Sequence, residues 1–170
     1  MRAFSAPGYL LRNARVEVRL IYTGFLLLTL VGMLTMAAFE IGHIGLTPGR
    51  IASYYNGGDS GGEMSFGKTF RQLVETTHFH AFIMGVEYLV LAHLFIATAL
   101  SSTTKRALII VGLAGLTGDL VSPWLIHYVA DGFAYLQIAS WGAEWVGFAA
   151  YIAVPIVEMW FRNDEPGSVD

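Results

Sequence analysis

Four histidines, His43, His78, His80 and His127, fall near the ends of the longest apolar stretches of this chain, and Glu40, Glu75 and Asp131 accompany them. Neutral imidazole is the commonest metal-ligating side chain, and ionisable groups inside apolar segments cost enough to point to function. Two chemistries fit. Two imidazoles from different helices can hold a b-type haem without covalent attachment. Alternatively, Glu40-Ile41-Gly42-His43 and Glu75-Thr76-Thr77-His78 are both Glu-x-x-His. At i, i+3 the two side chains share a helix face and can ligate one non-haem iron, copper or zinc ion. His43, His78, His80, His127, Glu40 and Glu75 form that alternative metal set. Asp131 lies near the same level, while the further carboxylate that a di-metal centre needs is missing.

A second group lies deeper. Glu87, Asp119 and Glu144 come from three different apolar stretches, and at ~1.5 Å per residue all three reach the middle of a bilayer. An isolated carboxylate there costs at least ~2.5 kcal/mol, so the acids are expected to face the interior of a bundle. They suit a proton path from the midplane to a redox or quinone site; equally, they suit hydrogen bonds that tie helices together. Gln137, Trp141, Glu144, Tyr151 and Glu158 recur at helical spacing and form a polar stripe that faces the same interior.

The elements that must position these groups are read from hydropathy. Of the 170 residues, 55% are hydrophobic and only 14% charged, and the mean hydropathy is +0.55. This composition predicts an integral membrane protein. Four spans are expected, at about Leu20 to Gly42, Leu73 to Leu100, Ala107 to Ala130 and Phe133 to Phe161. Each is long enough to cross the hydrocarbon core and must be helical, because lipid offers the backbone no hydrogen bonds. The expected fold is all-α: an up-down four-helix transmembrane domain over residues 20–161, flanked by an N-terminal segment, 1–19, and a tail, 162–170. The stretch Arg12 to Arg19 is expected to lie along the membrane surface. Lys and Arg set the orientation. Seven (Arg2, Arg12, Arg15, Arg19, Lys105, Arg106, Arg162) lie on one side and three (Arg50, Lys68, Arg71) on the other, which places both termini in the cytoplasm. The outer loop, residues 44–72, carries the run Gly57-Gly58-Asp59-Ser60-Gly61-Gly62 and is read either as a flexible connector or as a cap over the histidines.

Helical rotation divides the histidines. His80 and Glu87, seven residues apart, lie nearly on one line, whereas His78 points roughly the opposite way. This favours His80 as a ligand, paired with His43 or His127. Gly85 on the second span and Gly112, Gly115 and Gly118 on the third would let a planar ring approach, and they would equally let helices pack closely. The segment His78-Phe79-His80-Ala81-Phe82-Ile83-Met84-Gly85 resembles the His-x-His-x4-Gly segment of small membrane proteins related to the catalytic subunit of haem–copper oxidases. That resemblance covers some twenty residues and implies that these histidines bind haem or metal. His80 and His93 also show the thirteen-residue spacing of di-haem b-type cytochromes. Without another inner-side histidine, this resemblance implies one bis-histidine haem at most.

The expectation is therefore a multi-pass protein of the bacterial inner membrane, a subunit of a larger oxidoreductase complex. It would bind haem b near the outer face and pass electrons between quinone and a periplasmic cytochrome. The alternatives are a membrane protein that binds or transports a metal ion, and a structural subunit without a cofactor. With no cysteine, thiolate zinc sites, iron–sulfur clusters and covalently attached haem are excluded. The net charge of −3 offers no basic patch for nucleic acid. No signal peptide is recognised at the N-terminus.

Overall fold

Capping residues set the element boundaries that hydropathy leaves vague. In a computed structural model, which describes residues 9–59 and 64–162, helix α1 spans Val16–Phe39 and continues into a π-helical turn, Glu40–Ile44. Helix α2 (Pro48–Asn56) starts with Thr47 as its cap and Pro48 in its first turn, where a missing N–H costs nothing. Helix α3 (Phe70–Ile96) opens on a capping box between Thr69 and Gln72, and α4 (Ser102–Tyr128) is capped by Ser101. A 3-10 turn, Asp131–Phe133, leads into α5 (Ala134–Trp160). These caps shift α3 and α4 to begin three and five residues earlier than their apolar runs. The polar first turn of α4, Ser102 to Arg106, already belongs to the helix. Both α4 and α5 run on through Pro123 and Pro155.

Helices α1 with its π turn, α3, α4 and α5 are long and apolar enough to cross a membrane. At 27 residues each, α3 to α5 are ~40 Å long against a hydrocarbon core of ~30 Å. The chain is an integral membrane protein with a helical bundle, as composition predicts. Tyr128 and Tyr135 are exposed at one end of the bundle, and Trp160 at the other bonds Thr23 (2.8 Å). Arg12 to Arg19 is not a separate surface helix. Leu11–Asn13 form a 3-10 turn and Val16 already starts α1. The Leu11 amide donates to Ala97 (2.9 Å), fastening this segment to the end of α3. The expected segments 1–8, Ser60–Gly62 and the tail after residue 162 lie outside the described residues.

Packing centres on α4 and α5. A Cβ at Gly115 would sit 2.7 Å from the Glu144 amide nitrogen, and one at Gly147 would sit 2.9 Å from the Gly112 Cα. The glycines of α4 therefore serve contact with α5. Beyond Glu144, buried Leu91, Leu94, Phe95, Phe148, Tyr151 and Ile152 close the half of the bundle away from α2. Tyr151 and Tyr88 donate to the carbonyls of Leu108 (2.8 Å) and Ile109 (2.7 Å) on α4.

The outer loop is a folded cap. Strands β1 (Gly57–Asp59) and β2 (Met64–Phe66) pair antiparallel after α2. Ile51 and Ala52 of α2 are buried against Ile126, Ala134 and Trp141. The Asn56 amide donates to the Ile126 carbonyl (3.2 Å) and to Asp131 (2.7 Å). His127 Nδ1 faces the Tyr55 carbonyl (3.2 Å) and Asn56 Oδ1 (3.0 Å), both acceptors, so this nitrogen donates. Asn56→Ala removes several of these bonds at once, at ~1 kcal/mol each. It is expected to release the cap, so that limited proteolysis cuts within residues 57–66 markedly faster while the spans stay protected.

Candidate functional site

Two neighbouring cavities, of about 480 and 290 Å³, share Met36, His80 and Asp119 in their walls. The larger lies under the cap, bounded by Tyr54, Tyr55, Lys68 and Gln72. The smaller reaches Glu40, Glu87 and Glu144. Five ionisable groups, from α1 with its π turn, α3, α4 and α5, thus line these two adjoining cavities.

Helix geometry explains the convergence. On α3, the seven-residue step from His80 to Glu87 keeps both on one face. On α5, Gln137, Trp141 and Glu144 recur at i, i+4 and i+7, facing Asp119 and Ser122 of α4. Ser122 donates to Gln137 Oε1 (2.6 Å), Gln137 Nε2 donates to Asp119, and Trp141 donates to the same Asp119 oxygen (2.9 Å). Asp119 is therefore held by two neutral donors. Glu144 differs: its residue is only 8% exposed, and its Oε1 is buried with no hydrogen-bond partner. Glu87 is half-buried, with Thr29 of α1 beside it.

Glu40 is buried because the π turn widens the helix at that point. Its amide partner ladder ends where Gly45 N–H closes onto the Glu40 carbonyl (2.7 Å), with Gly45 at φ 90°, a conformation suited to glycine. The wider turn also separates Glu40 from His43. Glu40 turns inward toward Trp145, whereas His43 is exposed and packs against Phe39 and edge-on to Tyr54. The expected shared face of this Glu-x-x-His is thus absent.

The other expected ligands are also dispersed. Glu75 is exposed and pairs with Arg71 (2.7 Å), His78 is exposed, and Asp131 bonds Asn56. His127 is engaged by the cap, and neither it nor His43 is among the residues lining the two cavities that His80 lines. Exposed His93 contacts its own helix at Leu89. Among the described residues, no three His, Asp or Glu side chains are placed to share one metal ion.

His80 is the histidine that meets the acids. Its Nδ1 lies 2.8 Å from the Thr76 carbonyl, so Nδ1 carries the proton and donates. This leaves Nε2 with its lone pair, able to take a proton or ligate a metal. Asp119 is near enough to His80 to interact with its charge, and Glu40, Asp119 and Glu144 feel one another. At the mouth, burial first, then the charge of Asp119 and the neighbouring Tyr54 and Glu40, push the Tyr55 phenol above the ordinary tyrosine range. Tyr55 therefore remains a neutral hydroxyl there. Lys68, with its ammonium 3.9 Å from the Tyr54 ring centre, lines the outer cavity.

Sequence reading missed Gln137 and Ser122 as the holders of Asp119. Their signal was the alignment of Gln137 with Trp141 and Glu144 on one stripe. It also missed Trp145 beside Glu40, which depends on a π turn that no simple periodicity reports.

These features define a polytopic membrane protein with two adjoining cavities, one under a folded cap and one lined by acids. The chain belongs to the Aq_1264_TM family of transmembrane helical domains, whose family model matches residues 45–166, from the end of the π turn through α5. Comparison with curated proteins and with solved structures finds no match.

Proposed function

We propose that this protein takes up a cation, the proton foremost, from the outer side of a bacterial inner membrane and carries it to the buried acids at mid-membrane. The observation that supports this most is the meeting of Glu40, Glu87, Asp119 and Glu144 with His80 around adjoining cavities, with no Lys or Arg among the described residues lining the inner one. Cation-free acid clusters inside a bundle are costly and suit ion or proton pathways. His80 relays: Nε2 accepts from the outer cavity and hands on toward Asp119. The aromatic core below Glu144 is the barrier that a conformational step must open.

The test is proton entry into proteoliposomes holding a pH-sensitive dye, driven by an imposed membrane potential. The full-length protein is expected to admit protons, and His80→Ala to slow entry at least ~tenfold, as loss of a relay group does. Equal rates in the two proteins, or no entry above empty vesicles, would contradict the proposal.

A redox role is the second reading, and the free Nε2 of His80 favours it, since a fixed Nδ1–H is the usual partner arrangement of a ligating imidazole. Haem b on His80, within an oxidoreductase complex using quinone and a periplasmic cytochrome, would give a Soret band that His80→Ala removes. Non-haem iron, copper or zinc would register in metal analysis of colourless protein.

A further inference from the structure

We propose that the inner cavity binds a lipophilic organic cation that enters sideways from the bilayer between α1 and α3. This gives the acid site proposed above a second cation, with its own route from the bilayer, and rests on the reading of those acids as a cation site.

Charge comes first. The 290 Å³ cavity is faced by Glu40, Glu87, Asp119 and Glu144 and, among the described residues, by no basic group except His80. Three of the acids have partners: Asp119 is bound by Gln137 and Trp141, Glu87 has Thr29 beside it, and Glu40 has Trp145. Glu144 does not. More than nine-tenths buried, it lines the cavity, and no group among the described residues satisfies its Oε1. A buried acceptor left without a partner costs ~1–3 kcal/mol, and a ligand that fills the cavity removes that cost.

The shape of the site argues for an organic cation over a bare metal ion. No three acidic or imidazole groups among the described residues are placed to share one metal. The acids instead surround a space near the lower bound, ~300 Å³, of small-molecule sites. Phe79, Trp145 and Phe148 also line it; aromatic side chains attract a cation electrostatically, and their apolar bulk suits its hydrocarbon part.

The entrance follows from how α1 sits. It packs chiefly on α5, and the cavity separates its Met33 and Met36 from Phe79 and Ile83 of α3. Along this rim Phe79 is 66% exposed, Ile83 50% and Met36 39%. All three lie well inside the apolar spans, so their exposed surface faces acyl chains. A Cβ at Gly32, also on the rim, would meet nothing within 4 Å. A ligand dissolved in the bilayer therefore reaches the acids without crossing the cap.

Benzyltrimethylammonium is a suitable probe: one ring and one fixed positive charge. Its neutral isostere, neopentylbenzene, has the same shape without the charge. Calorimetry on the full-length protein in nanodiscs is expected to show the cation binding at least ~tenfold more tightly than the isostere. Glu144→Gln, and separately Glu87→Gln, are each expected to weaken it at least ~tenfold, with thermal midpoints confirming that both variants fold. Glu87 lies away from the α4–α5 contact, so its variant keeps the test valid should Glu144→Gln misfold. No binding, equal binding of the isostere, or unchanged affinity in a folded variant would overturn the proposal. Proton entry that depends on His80 but is accompanied by no binding would overturn this inference alone. Cation binding without any proton entry would overturn the earlier reading instead.

Discussion

Leucine in place of Gly115 is expected to separate α4 from α5 and to destabilise the detergent-solubilised protein by about 3 kcal/mol or more. The added Cβ alone would lie 2.7 Å from the Glu144 amide nitrogen and 2.9 Å from the Ser140 carbonyl oxygen. Both are backbone atoms of α5, so no side-chain rotation relieves the overlap and the helix itself must move. Such movement would also break the nearby bonds from Gln137 and Trp141 to Asp119, leaving buried polar groups unpaired. Gly24→Leu is the control. A Cβ at Gly24 meets nothing within 4 Å, and replacing glycine within a helix gains up to ~1 kcal/mol of propensity. Thermal unfolding followed by circular dichroism should show a large fall in the midpoint for Gly115→Leu and little or no fall for Gly24→Leu. Similar midpoints in the two variants would show that α4 and α5 do not meet as described.

The spans were legible because a bilayer imposes a simple rule: about twenty apolar residues, helical throughout. Their ends were less so. Thr69 and Ser101 begin helices whose first turns are polar, and hydropathy reads polar turns as loop. The cap was harder still. The glycines of residues 57–62 suggest a flexible connector, yet Ile51 and Ala52, only a few residues earlier, bury α2 against α4 and α5. That contact is tertiary, and local composition does not carry it.

The site was partly legible for the same reasons. Rotation on a regular helix separated His80 from His78 and joined it to Glu87, and regular spacing aligned Gln137, Trp141 and Glu144. The pairings across elements were not legible. Glu40 and His43 look like joint ligands only while the helix stays α, and the π turn divides them. His127 looked like a partner for His80 at the right depth, but its ring is taken by the cap at Tyr55 and Asn56. Depth along separate helices sets the level of a group; it does not set which neighbour the group faces.

The proposed route descends from the capped side of the membrane to the buried acids and stops there. The absence of cysteine in the sequence makes single-cysteine scanning direct. Thr76→Cys lies in the outer cavity, Met36→Cys at the junction of the two cavities, and Leu91→Cys in the core beneath them. A small, membrane-impermeant, cationic thiol reagent is added to the capped side of oriented vesicles, and the adduct is read by mass spectrometry. Cysteine at 76 and at 36 should be modified, because the reagent follows the acid-lined route, and cysteine at 91 should stay free. Modification at 76 but not at 36, or equal modification of 36 and 91, would contradict the account.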